Sequence, residues 1–154
     1  MRLRFWKFFS EYAAPVLAAI ATVTMFCDVI EMKFFNFTGA ELAFGCSKGG
    51  YHYLNFNIIV FLAYMCPLAG AIIAIIATVK NKPNLQFLAA GLMIVGAILM
   101  LIIPNIWCMF ADGIEVKKYL ASYSVKFLYS GIMGVVCAFL GGLSMLASCF
   151  IKLK

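Results

Sequence analysis

The residues able to do chemistry in this chain of 154 residues are one histidine, six cysteines and six carboxylates. A lone histidine, His52, offers no second imidazole for a zinc site, and no H-E-x-x-H pattern exists. With one imidazole among tyrosines, no Ser-His-Asp constellation is legible, and His52 reads as interfacial packing. No C-x-x-C occurs, so paired-thiol redox chemistry near a quinone is not expected. Cys66, Cys137 and Cys149 fall in apolar runs, where a thiol behaves as a small hydrophobe. Cys27, Cys46 and Cys108 fall on one side of the apolar runs, so a disulfide is feasible between Cys46 and Cys108, or between Cys46 and Cys27. Asp28 and Glu31, three apart, could hold a cation if helical; the plainer reading is a solvated pair answering Lys33 or Lys48. Asn36-Phe37-Thr38 fits a glycosylation acceptor, a pattern that is common by chance. No glycine loop matches a phosphate cradle. Catalytic, cofactor-binding and metal-binding residues are therefore expected to be none, with no cofactor and no enzymatic activity.

Composition explains this poverty of reactive groups. Hydrophobic residues make up 66% of the chain and charged residues 12%, with mean hydropathy +1.04. Soluble domains run near half apolar and a quarter charged. A soluble globule of this length could not hide so much apolar surface, so an integral membrane protein of one unit, 1–154, is expected. Four stretches carry no ionised side chain: 12–27, 49–79, 83–111 and 127–151. With a little snorkelling at its ends, each can supply a helix of about 20 residues across roughly 30 Å of hydrocarbon. The expected fold is an all-α antiparallel bundle of four transmembrane helices, about 11–30, 57–79, 85–109 and 125–151. Outer loops at about 31–56 and 111–124 would form a small cap with a β-hairpin. The β-prone runs 33–38 and 51–57, on either side of the Gly-rich turn 45–50, are the hairpin candidates; the alternative is an amphipathic helical stretch lying on the outer leaflet. The loop 111–124 could add a strand or short helix.

The charges set the orientation. Arg2, Arg4, Lys7, Lys80, Lys82, Lys152 and Lys154 lie on one side against Glu11 alone. Lys33, Lys48, Lys117, Lys118 and Lys126 lie on the other with Asp28, Glu31, Glu41, Asp112 and Glu115. Lys and Arg favour the cytoplasmic side, so a multi-pass plasma-membrane protein with both termini cytoplasmic is expected. The net charge of +6 is spread thinly along membrane boundaries, which suits anionic lipid and not nucleic acid. Phe5, Trp6, Phe8, Phe9 and Tyr12 among the first bases read as an interfacial anchor on an uncleaved first helix. No ionisable group falls at mid-membrane, where a proton-coupled transporter would need one.

The clearest positive pattern is packing. Ser130, Gly134, Ala138 and Gly142 recur every four residues, a small-xxx-small stripe that lets helix backbones approach. It serves packing within one bundle or an interface with a second copy or a membrane-protein partner. Shorter stripes are Gly70, Ala74, Thr78 and Ala14, Ala18, Thr22.

The layout resembles the claudin-like tetraspan architecture: four helices, termini inside, a long first outer loop with strand character. The Trp-rich segment with two cysteines of that family is absent, so its barrier roles are not implied. The run Thr38-Gly39-Ala40-Glu41-Leu42-Ala43-Phe44-Gly45, then Phe61-Leu62-Ala63-Tyr64 and the Gly/Ala-rich helices, is similar to small uncharacterised four-helix membrane proteins of Gram-positive bacteria. That resemblance implies a bacterial plasma membrane and no activity. The expected role is a non-enzymatic scaffold or accessory subunit acting through helix packing and outer loops. The alternatives are a small oligomeric channel or transporter and, third, a membrane thiol or lipid enzyme.

Overall fold

A computed structural model describes the backbone of residues 2–33, 35–48 and 50–152, and side chains from 11 to 150 within them. The anchor side chains Phe5, Trp6, Phe8 and Phe9, and also Phe34 and Gly49, lie outside the described residues.

The chain is mostly helical with a small β cap. Three helices are long and apolar enough to cross a membrane: α3 (Ile58–Lys80), α4 (Pro83–Ile106) and α6, whose apolar part is Tyr129–Phe150. The first helix, α1 (Arg2–Val23), adds a shorter apolar part, Glu11–Phe26, that runs into a 3-10 turn at Thr24–Phe26. α1 packs on α3 and α6, and α4 packs on α3 and α6, so the four close a ring. At one end Gln86 of α4 reaches Glu11 of α1 and Cys149 of α6. The helices therefore run antiparallel, with the α3–α4 turn, the start of α1 and the end of α6 opposite the cap.

Local chemistry accounts for the ends. Asn57 caps α3, its Oδ1 accepting from the backbone N–H of Ile59 and Val60 at 3.1 and 3.2 Å. α3 stops at Asn81, which takes the left-handed conformation (φ 53°) that an Asx side chain tolerates. Pro83 then opens α4, where its missing N–H is no loss.

The core is built from small residues. Ala14, Ala18, Ala63, Ala74, Ala77, Ala89 and Ala90 are fully buried. Lipid is as apolar as leucine, so close packing has to hold such helices together. Met93 of α4 fills the centre, near the Cβ positions of Gly70 on α3 and Gly141 on α6. Ile72, Ile75, Ile98, Leu101, Val136 and Phe139 point outward, as a lipid-facing belt requires.

At the cap end the first helix is shorter than expected. The segment 11–30, expected as one helix, does not continue as one. It breaks after Phe26, and Asp28–Met32 forms strand β1, with Asp28 and Glu31 exposed and Val29, Ile30 and Met32 buried. Asp28 and Glu31 thus share no helical face. β1 pairs antiparallel with β2 (Phe35–Thr38) on one edge and with β5 (Lys126–Phe127) on the other. The cap holds a β-hairpin, but with other partners than expected: Phe35–Thr38 pairs back onto β1, while β3 (Cys46–Lys48) and β4 (Tyr51–Leu54) form a second hairpin. Between them lies α2 (Gly39–Phe44). A capping box starts it: Glu41 N–H donates to Thr38 Oγ1 at 3.1 Å, and Thr38 N–H donates to Glu41 Oε2 at 2.8 Å. The second outer segment holds α5 (Ile114–Ala121) and β5, and α6 begins at Tyr129 after that strand.

Candidate functional site

The cap is the part of the molecule with polar architecture, and both outer segments build it. β5 is only two residues long, yet it completes the sheet against β1, and Leu128 N–H donates to Val29 O at 2.9 Å. The β3–β4 hairpin is tied to the chain after α4. Asn55 N–H donates to Phe110 O at 2.8 Å, and Asp112 N–H to Tyr53 O at 3.0 Å. Beneath the strands lies an apolar layer of Phe37, Leu42, Leu54, Trp107 and Leu120, each at most 3% exposed. Phe37 packs on Trp107 with ring centroids 5.7 Å apart.

Not every outer aromatic is enclosed. Phe44 and Phe56 are exposed, clustering with Phe61 at 5.7–6.3 Å between centroids beside the start of α3. This suits the membrane–water boundary, where aromatic rings gather. Tyr51 projects from the hairpin tip, 72% exposed.

Lys48 organises the outer rim. It pairs with Glu41 at 3.2 Å, lies 4.6 Å from the centre of the Phe37 ring, and donates to Asn36 O. Asp28 instead accepts from the Asn36 side chain at 3.3 Å. Among the described residues, no three His, Cys, Asp or Glu side chains group so as to hold a metal ion.

A polar chain that sequence reading missed runs through His52. Ser47 and His52 face each other across the β3–β4 hairpin, with Ser47 Oγ 2.7 Å from His52 Nδ1. His52 Nε2 lies 3.0 Å from Asn55 Oδ1, and Asn55 Nδ2 is 3.4 Å from Asp112 Oδ1. In the tautomer protonated at Nε2, every hydrogen points the same way: Ser47 to His52 to Asn55 to Asp112. All four residues are exposed, so water competes for each bond, and the chain serves as a brace between the hairpin and the second outer segment. The signal was available only once the strand register was known.

Of the outer cysteines, Cys46 is buried in the layer beneath the cap and Cys108 packs against the same cluster. Both are free thiols, as is exposed Cys27. Burial, and secondarily Glu41, pushes the Cys46 thiol up to about 11 against the pull of Lys48. At pH 7.5, far below that value, Cys46 carries almost no thiolate. A soluble maleimide is therefore expected to modify Cys27 well before Cys46, as read by mass after short exposure. Faster modification of Cys46 would contradict the enclosed cap.

The helix-six stripe is placed inside the bundle. A Cβ at Gly134 would lie 2.5 Å from Thr24 Oγ1 and 3.4 Å from Met100 Sδ. Ala138 is fully buried. A Cβ at Gly142 would lie 2.6 Å from Ile94 Cγ1 and 3.2 Å from Ala90 O. Ser130, at the cap end of the stripe, donates to Asp28 O and ties α6 to β1. Gly141, absent from the fourfold pattern, also makes a close approach, 3.1 Å from Ala14 O to its would-be Cβ. Gly134→Leu is expected to destabilise the protein by about 1–3 kcal/mol through overpacking. Val136→Leu, at an exposed position, should leave thermal unfolding in detergent nearly unchanged. Equal melting of the two variants would refute this packing.

At the opposite end, fully buried Gln86 joins three helices. Its Nε2 donates to Glu11 Oε1 at 3.3 Å, and its Oε1 lies 3.7 Å from Cys149 Sγ. Glu11 thus sits beside the start of α4, away from the centre of the bundle.

Comparison with protein-family models, with curated proteins and with solved structures found no match.

Proposed function

We propose that the chain is a non-enzymatic four-span protein of the plasma membrane, with both termini cytoplasmic, that holds a preformed outer cap as a docking surface. It acts as a scaffold or accessory subunit for a membrane-protein partner or a second copy. One observation carries this reading. The two outer segments are woven into one sheet, β2–β1–β5, seated on an apolar layer and braced by the Ser47–His52–Asn55–Asp112 chain. Ordering two loops in this way costs about 1–2 kcal/mol of backbone entropy per residue. Preorganising a surface lowers the cost of binding to it. The centre of the bundle, filled by Met93 between α3 and α6, favours this reading over conduction through a single bundle.

The test is purification of the full chain from native membranes in mild detergent, with the mass of the intact complex measured. A stoichiometric complex is expected, and Tyr51→Glu at the hairpin tip should weaken it while Ile75→Ala on the lipid face should not. Monomer mass alone in every case would remove the reading.

A second reading has one observation in its favour, Ser47 Oγ 2.7 Å from His52 Nδ1 with Asn55 and Asp112 in line behind the ring. It resembles a nucleophile, base and orienting group. A fluorophosphonate that labels wild type but not Ser47→Ala would install an ester-cleaving enzyme in place of the scaffold.

A further inference from the structure

Two clefts open side by side on the cap and share Glu31 and Lys126 as a common wall. The first, about 220 Å³, lies between the end of β1 and the chain entering β5; Lys33, Tyr123 and Ser124 complete it. The second, about 320 Å³, continues along β5 to the first turn of α6, past Phe127, Leu128, Tyr129 and Ile132. Together they form one trough, polar at the water side and apolar where it meets the lipid-facing surface of α6.

Strand register explains the charge layout. Glu31 and Lys126 are direct partners across β1 and β5, so their side chains rise from the same face of the sheet. Both are exposed, while their neighbours Ile30 and Phe127 turn toward the apolar layer. Lys33 follows at the turn after β1. The trough therefore presents an ammonium group and a carboxylate side by side, within a few residues of a membrane helix. Tyr129, 86% exposed at the start of α6, and Ile132, 44% exposed one turn on, mark where water gives way to hydrocarbon.

We infer that this trough binds the headgroup of a phosphoethanolamine phospholipid from the cap-side leaflet, with its phosphate at Lys126 and its ammonium at Glu31. A purely anionic headgroup would meet the Glu31 carboxylate unfavourably. A choline headgroup carries the same charges but has no N–H to donate to that carboxylate. A primary ammonium next to a phosphate matches both signs and the hydrogen-bonding capacity of the row. The acyl chains leave along Leu128 and Ile132 onto the outer face of α6. This inference rests on the bundle spanning the membrane with the cap at one surface, which fusion reporters test independently of lipid retention.

The test uses the full chain purified in mild detergent, given equimolar phosphatidylethanolamine, phosphatidylcholine and phosphatidylglycerol with identical acyl chains. Native mass spectrometry reads the retained lipid. Phosphatidylethanolamine should be retained about threefold to fivefold over each of the others, the size expected of an exposed ion pair. Glu31→Gln should erase the preference over phosphatidylcholine, and Lys126→Met should weaken retention of all three. Both positions are at the surface, and unchanged melting temperatures check that the variants fold. Preference for phosphatidylglycerol, equal retention of the three, or an unaltered preference in Glu31→Gln would overturn the inference. Water-soluble glycerophosphoethanolamine separates the two sources of this chemistry. Weak competition supports a lipid, and competition at the lipid's own concentration would assign the site to a soluble ligand instead.

Discussion

Gly96→Leu is expected to cost about 3 kcal/mol or more, the upper end of overpacking penalties, and to do so by parting α3 from α4. A Cβ at Gly96 would lie 2.4 and 2.5 Å from Pro67 Cδ and Cγ, and 3.2 Å from Ala63 O. A proline ring is stiff and fixed to its own backbone, so it cannot swing aside as a methionine would. Pro67 also lacks an N–H, so the helix offers a flat apolar ring there, and only glycine across the interface lets the backbones close onto it. Gly70 makes a matching approach one turn further along α3, 3.0 Å from Ala89 O to its would-be Cβ. The expected result is a large fall in melting temperature in detergent, greater than for Gly134→Leu, whose neighbours Thr24 and Met100 are side chains that can shift. Gly96→Ala should already show part of the loss. A Gly96→Leu protein that melts like wild type would show that α3 and α4 do not approach as described.

Gly45→Ala is expected to loosen the cap while leaving the bundle folded. Gly45 ends α2 at φ 91° and ψ 158°, a conformation essentially reserved for glycine. A Cβ there would also lie 2.5 Å from the backbone oxygen of Leu54. Strain of about 1–3 kcal/mol adds to the displacement of β4, which carries His52 and leads to Asn55. The Leu54 layer and the Ser47–His52 bond should both suffer. Limited proteolysis should cut 45–56 far faster in Gly45→Ala than in wild type, while α3, α4 and α6 remain protected. Hydrogen exchange at Asn55 and Asp112, whose amides bridge the two outer segments, should rise in parallel. Unchanged protection of this segment would mean that Gly45 does not fasten the hairpin to the bundle.

The membrane-crossing part of the fold was legible because length and apolarity alone decide it. Helices α3 and α4 begin and end within a few residues of expectation, guided by Asn57, the turn at Asn81 and the prolines. The cap end was harder. The run from Tyr12 to Cys27 carries no charge and Val29-Ile30 follow Asp28 at once, and a short apolar stretch fits strand or helix equally. Only pairing partners, Phe37 on one side and Phe127 on the other, show that Ile30 belongs to a strand. Thr38 and Glu41 did carry a readable signal, the capping spacing that starts α2, and the aromatic content around them masked it. The two-residue strand β5 has no local signature at all; its existence is a property of β1. The same holds for His52, which reads as a solitary ring until register sets Ser47 opposite it. The Gln86–Glu11–Cys149 contact depends on the rotation of three helices, which an almost uniformly apolar sequence does not encode.

The account turns on α1. Three helices are long enough to cross unaided, and the fourth crossing depends on α1 packing between α3 and α6 from Glu11 to Val23. The C-terminus and the Asn81 turn lie on one side whether or not α1 spans, so reporters there cannot decide it. The N-terminus can. A short epitope before Met1 and another at Gly50, probed in intact and permeabilised cells, should give opposite results. Antibody should reach Gly50 in intact cells and the N-terminal epitope only after permeabilisation. Both epitopes reached in intact cells would mean that α1 lies on the surface, that the chain crosses three times, and that the four-helix ring holding the cap does not exist in the membrane.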